Sequence, residues 1–172
     1  MRSDSRFIII AGTARNVGKT TLACKVIKSI EPQKVVALKL ISLKKHQETH
    51  HHYTDTFLIL EEKNRNSSKD TAKMLRAGAQ KAFLILSQEN YIEKAIDTFL
   101  SFVQENDLII VESAMLRNYL TPYCFIIVDR KAASNKKRYI DKLKPLADYF
   151  IDDIYDEYQS VPILEDIKKG YR

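Results

Sequence analysis

The length, composition and charge of the chain exclude several classes of protein. Its 172 residues are 45% hydrophobic and 29% charged, which excludes a disordered or fibrous chain and suits one domain with a real core. The net charge of +6 comes from scattered Lys and Arg, which suits a phosphate-bearing ligand and does not indicate nucleic-acid binding.

Apolar runs and helical periodicity alternate along the chain. The runs predict strands at residues 7–10, 34–41, 81–86, 107–111, 123–128 and 149–151, with an extra short strand or edge hairpin at 57–60. Helical spacing predicts helices at 19–30, 70–79, 91–103, 136–146 and 162–169. This alternation predicts an α/β fold with a mainly parallel sheet flanked by helices. We expect one domain over residues 1–172, whose part from about residue 152 forms a C-terminal helical tail.

The first predicted strand runs directly into a turn that is typical of phosphate binding. The turn contains Gly12 and ends in Gly18-Lys19-Thr20 at the start of a helix, where backbone N–H groups favour a negative charge. The usual motif has four residues between its glycines, but this chain has Thr13 there and its glycine one place earlier. A plain helix N-terminus is the alternative. We predict a variant nucleotide-binding loop made of Gly12, Thr13, Ala14, Arg15, Asn16, Val17, Gly18, Lys19, Thr20 and Thr21.

Charged residues after the strands predict how a triphosphate and its metal would be held. Lys19 would contact the outer phosphates, and the Thr20 hydroxyl would bind Mg²⁺. Glu112 and Asp70 are the candidate carboxylate ligands of the metal, with a structural role as surface charge, cap or helix-dipole partner as the alternative. Lys39 would face the γ-phosphate or a second ligand. The predicted catalytic residues are Lys19, Asp70 and Glu112, and because no general base stands out, we expect slow hydrolysis.

Two further patterns leave alternatives open. The long polar stretch at 42–68 holds four histidines, which could bind a transition metal or contact a substrate phosphate: His46, His50, His51 and His52. The run Asn135-Lys136-Lys137-Arg138 begins like the guanine-binding pattern Asn-Lys-x-Asp but ends in arginine. Guanine specificity is therefore unsupported, and ATP and GTP both remain candidates. Asp129 and Arg130 follow the strand at 123–128, at the edge where ligands bind.

The cysteines and the hydropathy pattern indicate a compartment. Cys24 and Cys124 lie far apart among apolar residues, which predicts buried thiols in a reducing environment and no disulfide. No apolar run approaches the roughly 20 residues of a membrane span, and no secretory leader is evident. We therefore expect a cytoplasmic protein without a membrane partner.

A family resemblance rests on three stretches of the chain. They are the loop from Gly12 to Thr21, Lys39 followed by clustered histidines, and Lys69-Asp70-Thr71 leading through 75–79 into a strand, with Val111-Glu112 as a further match. These stretches resemble the MobB-type proteins of molybdopterin-guanine dinucleotide biosynthesis, which are small SIMIBI-like P-loop NTPases. The resemblance implies a three-layer P-loop NTPase fold, Mg²⁺ with ATP or GTP, a homodimer, and a cofactor-biosynthesis enzyme as partner.

The departures from that family keep three functions open. Ser113 stands where the family has glycine, and the loop spacing is equally similar to dethiobiotin synthetase, an ATP-dependent ligase. Ala14 stands where dimeric switch ATPases carry a lysine. The first expectation is a weak NTPase that acts as an accessory factor in molybdopterin cofactor biosynthesis. The others are an ATP-dependent small-molecule ligase or kinase, and a nucleotide-gated binding module without catalysis.

Overall fold

The three-dimensional structure is a computed structural model that describes residues 2–30, 34–43, 57–130 and 138–170. Its strands are β1 (Arg2–Gly12), β2 (Val35–Leu43), β3 (Phe57–Glu61), β4 (Lys81–Gln88), β5 (Leu108–Glu112), β6 (Leu120–Val128) and β7 (Tyr149–Ile151). Its α-helices are α1 (Lys19–Ser29), α2 (Asp70–Ala77), α3 (Ile92–Leu100) and α4 (Glu157–Gly170), and short 3₁₀ turns cover Glu89–Tyr91, Met115–Asn118, Arg138–Lys142 and Lys144–Leu146. Within these ranges, no helix has the length and apolar character needed to cross a bilayer.

The strands form one sheet in the order β3-β4-β2-β5-β1-β6-β7. Every neighbouring pair is parallel except β3 and β4, which are antiparallel. β1 pairs with β5 on one side and β6 on the other, so the chain that leaves β1 emerges between neighbouring strands at the sheet's carboxyl edge. The predicted α/β class with a mainly parallel sheet flanked by helices is confirmed, and residues 57–60 belong to an edge strand.

Alternating side chains of the sheet pack into two apolar cores, one on each face. In β1, Ile8 and Ile10 join the core that contains α1, α2 and α4, whereas Phe7 and Ile9 join the core under α3 and the 3₁₀ turns. All four side chains are fully buried. A strand buried on both faces needs a continuous apolar run, which is why the central strands are recognisable in the sequence.

The C-terminal segment packs on the same core as α1. Ile163 and Ile167 of α4 are buried among the residues that α1 contributes to this core. The helix predicted at 162–169 is therefore too short, because α4 spans Glu157–Gly170 and contains Pro162. Because proline is common in the first turn of a helix, the start of this helix was predicted at Pro162 and not at its observed position.

The α-helix predicted at 136–146 is wrong over the residues that the structure describes. Residues 138–146 form the two 3₁₀ turns, joined at Leu143. Ile140 and Leu143 are buried, so the apolar spacing indicated a packed segment but not its helix type. Pro145 lies in the second turn, and because proline has no N–H and its ring crowds the preceding carbonyl, it opposes a continuous α-helix.

Candidate functional site

The carboxyl ends of the parallel strands open into one cleft of about 1230 Å³. The loop between β1 and α1 lies at its centre, with β2 and β5 on one side and β6 and β7 on the other. Ligands of open α/β sheets bind at this edge. The cleft brings together most of the residues predicted from sequence, namely Gly12, Arg15, Asn16, Val17, Gly18, Lys19, Thr20, Thr21, Lys39, Asp70 and Glu112.

The side chains of two residues of the predicted nucleotide-binding loop, Thr13 and Ala14, anchor the loop to the protein. Their side chains are each only 2% exposed. The Thr13 hydroxyl donates a hydrogen bond to the Asp129 carboxylate, and the Thr13 N–H donates to the carbonyl of Val128 at 3.0 Å. Ala14 packs in the core beside α1. These contacts fix where the loop leaves the sheet, and the ligand-binding roles predicted for Thr13 and Ala14 stay predictions.

Gly12 explains the shifted glycine of the loop motif. A Cβ atom at Gly12 would lie 2.6 Å from Cδ of Lys19 and 2.7 Å from Cγ2 of Val17, closer than real side chains approach. The left-handed backbone conformations of the loop fall elsewhere, at Asn16 (φ 57°) and Gly18 (φ 103°). Thr13 has an ordinary conformation, so the loop needs its glycine at position 12 and not at 13.

Helix α1 begins at Lys19 and directs its first turn into the cleft. Gly18 is its N-cap residue, and among the described side chains none caps this helix and no acidic residue occupies its first turn. Exposed N–H groups and the positive end of the helix dipole suit an anion such as phosphate. The Lys19 ammonium donates to the carbonyl of Ala14 across the loop at 3.1 Å, which holds a positive charge on the loop that precedes this helix.

Thr20 and Glu112 meet at the start of α1. The Thr20 hydroxyl donates a hydrogen bond of 2.7 Å to Oε2 of Glu112, and Glu112 reaches this place because it pairs with Ile10 across β5 and β1. Mg²⁺ binds oxygen ligands octahedrally at roughly 2.0–2.1 Å, which separates neighbouring ligands by about 2.9 Å. The 2.7 Å separation is that of an ordinary hydrogen bond, and hydroxyl and carboxylate oxygens are ligands that Mg²⁺ accepts, so the donor set is compatible with the predicted metal.

A chain of ion pairs continues from Glu112 to α2. Nζ of Lys39 contacts Oδ2 of Asp70 and lies 3.8 Å from Oε1 of Glu112, while Nζ of Lys73 donates to Oδ1 of Asp70 at 2.9 Å. Burial raises the pKa of Asp70, but the hydrogen bonds from Lys39 and Lys73 outweigh this effect and leave the pKa below its ordinary value of 3.8. Asp70 is therefore ionised at neutral pH, and each of its oxygens already contacts an ammonium group.

The other side of the loop is braced by the segment between β7 and α4. A Cβ atom at Gly18 would lie 2.5 Å from Cγ2 of Ile154, and Lys25 of α1 donates to the carbonyl of Ile154 at 3.0 Å. Tyr139 and Tyr155 line the cleft on this side. The C-terminal segment is thus part of the wall of the site.

Sequence reasoning missed Lys73 and the segment around Ile154. Lys73 could have been found, because it lies three residues after Asp70 and so shares its helix face. Ile154 carries no local signal, since its contact with Gly18 depends on the path of the chain between β7 and α4. The histidines at 46–52 and the residues 135–137 lie outside the described part of the chain. In the part that is described, no cluster of three or more His, Cys, Asp or Glu is placed to bind a metal ion.

Comparisons of the chain with family models, with curated proteins and with solved structures gave no match. The cleft combines N–H donors and an ammonium group for an anion with a hydroxyl and carboxylate pair for a divalent cation. Such a set can hold a polyanion together with its metal ion.

Proposed function

We propose that the protein binds a nucleoside triphosphate with Mg²⁺ in the cleft, in the manner of a P-loop NTPase. The observation that carries the proposal is the meeting of the Gly12–Gly18 loop, the first turn of α1 and the Thr20–Glu112 pair at one place. A triphosphate needs donors for its oxygens, a cation for its outer charge and a metal between its phosphates. Each need is matched by a residue within this short segment or directly across from it.

The proposed roles follow from these contacts. The loop and first-turn N–H groups would bind the phosphates, and Lys19 would contact both the phosphates and the loop carbonyl that it now reaches. Thr20 and Glu112 would bind the metal. Mg²⁺, when bound, supplies charge neutralisation for the phosphates. Lys39 and Asp70 lie beyond Glu112, on the side where the γ-phosphate or a second ligand would extend.

Slow intrinsic hydrolysis is part of the proposal. A general base works best when its pKa is near the working pH, whereas the pKa of Asp70 is lowered by its two lysine partners, which outweigh burial. The carboxylate is thus a weak base that two ammonium groups also occupy. This favours a protein that holds its nucleotide over one that turns it over quickly.

The nucleoside is proposed to lie on the side of β6 and β7. Tyr139 and Tyr155 line the cleft there and are 40% and 72% exposed. Aromatic faces stack on nucleobases without regard to sequence, so these side chains suit a purine but do not choose between ATP and GTP. We propose an accessory role in molybdopterin cofactor biosynthesis, with a cofactor-biosynthesis enzyme as partner, on the resemblance of the sequence alone.

A second candidate function, an ATP-dependent small-molecule ligase or kinase, is favoured by the size of the cleft. Its volume of about 1230 Å³ exceeds the roughly 300–1,000 Å³ of ordinary ligand pockets. Gln88, Asn90 and Met115, which lie at or after the ends of β4 and β5, also line the cleft. Polar amides beside an apolar side chain suit a small molecule with both characters.

The test is a calorimetric titration of ATP and of GTP, each with Mg²⁺, against the wild-type protein and two variants. Lys19→Ala should weaken binding by at least about tenfold, or about 1.4 kcal/mol, because it removes the cation that contacts the phosphates. Lys28→Ala makes the same charge change at an exposed position in the last turn of α1 and should bind like wild type. Unchanged affinity of Lys19→Ala would overturn the assignment.

Turnover measured on the same proteins separates the candidates. Nucleotide consumption that depends on an added small acid would favour the ligase or kinase. Slow consumption that a partner enzyme accelerates would favour the accessory factor. Tight binding with no consumption at all would favour a nucleotide-gated binding module.

A further inference from the structure

One ammonium group serves two carboxylates at the edge of the proposed metal site. Lys39 lies directly beside Glu112 in the register of β2 and β5, and Asp70 is the first residue of α2. Nζ of Lys39 contacts Asp70 and lies 3.8 Å from Oε1 of Glu112. Its side chain is only 24% exposed, so water screens these charges incompletely.

Glu112 is shared between this lysine and the hydroxyl that would bind the metal. Its Oε2 atom accepts from Thr20 at 2.7 Å, while its Oε1 atom faces Lys39. A divalent cation bound to Thr20 and Glu112 would therefore meet a positive charge that is already in place. Two like charges this close in a partly buried site repel each other strongly.

We propose that Lys39 is an internal counter-cation, which neutralises Glu112 while no metal is bound and turns wholly to Asp70 when Mg²⁺ arrives with a triphosphate. This inference rests on the proposed function, because it takes Thr20 and Glu112 as the metal ligands. Asp70 is the second anchor that makes the exchange possible, since it already contacts Lys39. The metal alone then binds weakly, and the negative charge of the triphosphate makes its uptake favourable.

A counter-cation at Lys39 would have two effects, one on the stability of the fold and one on metal uptake. Without a counter-cation, Glu112, which is 6% exposed, would be a nearly buried charge stabilised by the Thr20 hydroxyl but not by the positive charge of Lys39. With it, the protein keeps a stable fold when no metal is present and takes up Mg²⁺ chiefly as part of a nucleotide complex. Binding of metal and nucleotide thereby becomes coupled through one side chain.

The test uses Mn²⁺ alone, which binds the same hard oxygen ligands and whose free concentration is measured by electron paramagnetic resonance. Wild type, Lys39→Met, Lys39→Arg and Lys73→Met are titrated without nucleotide. Lys39→Met should bind Mn²⁺ about tenfold more tightly or better, because one opposing charge is gone. Lys39→Arg keeps the charge and should bind as weakly as wild type.

Lys73→Met is the matched control, because Lys73 contacts Asp70 but no contact joins it to Glu112 among the described ion pairs. Its effect on Mn²⁺ affinity should be clearly smaller than that of Lys39→Met. Equal effects of the two variants, or unchanged or weaker Mn²⁺ binding by Lys39→Met, would overturn the inference. Circular dichroism confirms that each variant is folded, and Lys39→Gln repeats the test if Lys39→Met is not.

This outcome is separable from that of the proposed function. If nucleotide binds through Lys19 but Lys39→Met leaves Mn²⁺ affinity unchanged, the function stands and the counter-cation role fails. If Lys39→Met tightens Mn²⁺ binding but no nucleotide binds, the competition of Lys39 with a metal at Glu112 stands, whereas the coupling to a triphosphate and the proposed function both fail. If Lys39 only contacted the γ-phosphate, Lys39→Met would lower nucleotide affinity and leave Mn²⁺ affinity unaltered.

Discussion

Replacing Gly12 by alanine is a sharp test of the loop geometry, because the clash is defined atom by atom. The added Cβ would lie 2.6 Å and 2.8 Å from Cδ and Cγ of Lys19, and 2.7 Å from Cγ2 of Val17. Val17 is 2% exposed and belongs to the core with α1, so it has little room to withdraw. Lys19 must therefore move, and Lys19 is the side chain proposed to contact the phosphates.

Gly12→Ala is expected to lower both the thermal stability of the protein and its affinity for nucleotide. Overpacking of a buried position costs about 1–3 kcal/mol, and in a chain of this size each kcal/mol lowers the melting temperature by about 2–4 °C. Gly12→Ala should therefore melt roughly 2–12 °C below wild type. It should also lose nucleotide affinity beyond what partial unfolding explains, because the displaced Lys19 no longer lies over the loop.

Gly78→Ala is the matched control for this experiment. Gly78 has φ 122°, so alanine is strained there, but the nearest atom to its added Cβ is Cγ2 of Ile27 at an ordinary 3.7 Å. It should lose about 1–2 kcal/mol of stability and bind nucleotide like wild type. Thermal denaturation and calorimetric titration of ATP with Mg²⁺ measure both quantities. If Gly12→Ala binds as tightly as wild type, the reasoning about the loop is wrong.

Two further predictions concern the carboxylates. Glu112→Gln keeps an oxygen for the Thr20 hydroxyl but loses the negative charge. Calorimetry should therefore find that the substitution weakens nucleotide binding more with Mg²⁺ than without it. Equal weakening in both conditions would mean that Glu112 has a structural role. Burial raises the pKa of Asp70, but hydrogen bonds from Lys39 and Lys73 outweigh it and keep the folded-state pKa below 3.8. The stability that the charged Asp70 adds to the fold is therefore fully present above pH 3.8 and is lost as the pH falls through the lowered pKa. The melting temperatures of wild type and Asp70→Asn should therefore differ at pH 7 and converge below pH 3.8, whereas a gap independent of pH would contradict the ion-pair account.

The central strands and the α/β class of the fold were predictable because a strand that is buried on both faces needs a continuous run of apolar residues. Phe7, Ile8, Ile9 and Ile10 form a continuous apolar run that no half-exposed strand would need. The order of the strands was not predictable, since each crossover can place the next strand on either side of the sheet. The 3₁₀ turns at 138–146 were also missed, because apolar spacing at Ile140 and Leu143 reports burial whatever the helix type.

The candidate site was also predictable from the sequence only in part. The position of Glu112 beside β1 followed from the rule that parallel strands end at one edge, and its pairing with Ile10 confirms that position. Its role as a metal ligand stays a prediction. The packing of Ile154 on Gly18 joins elements far apart in the chain, and no periodicity or spacing near either residue encodes such a contact.

The central place of β1 has a consequence for biosynthesis. Phe7 pairs with Ile109, and Ile8 pairs with Cys124, so about a hundred further residues must be made before either neighbour of β1 exists. At a synthesis rate of roughly 5–20 residues per second, that interval lasts about 5–20 s. During it the apolar run at residues 7–10 has both edges unpaired on the ribosome. The hydrogen bonds on both edges of β1 therefore form only after residues 108–128 have been made.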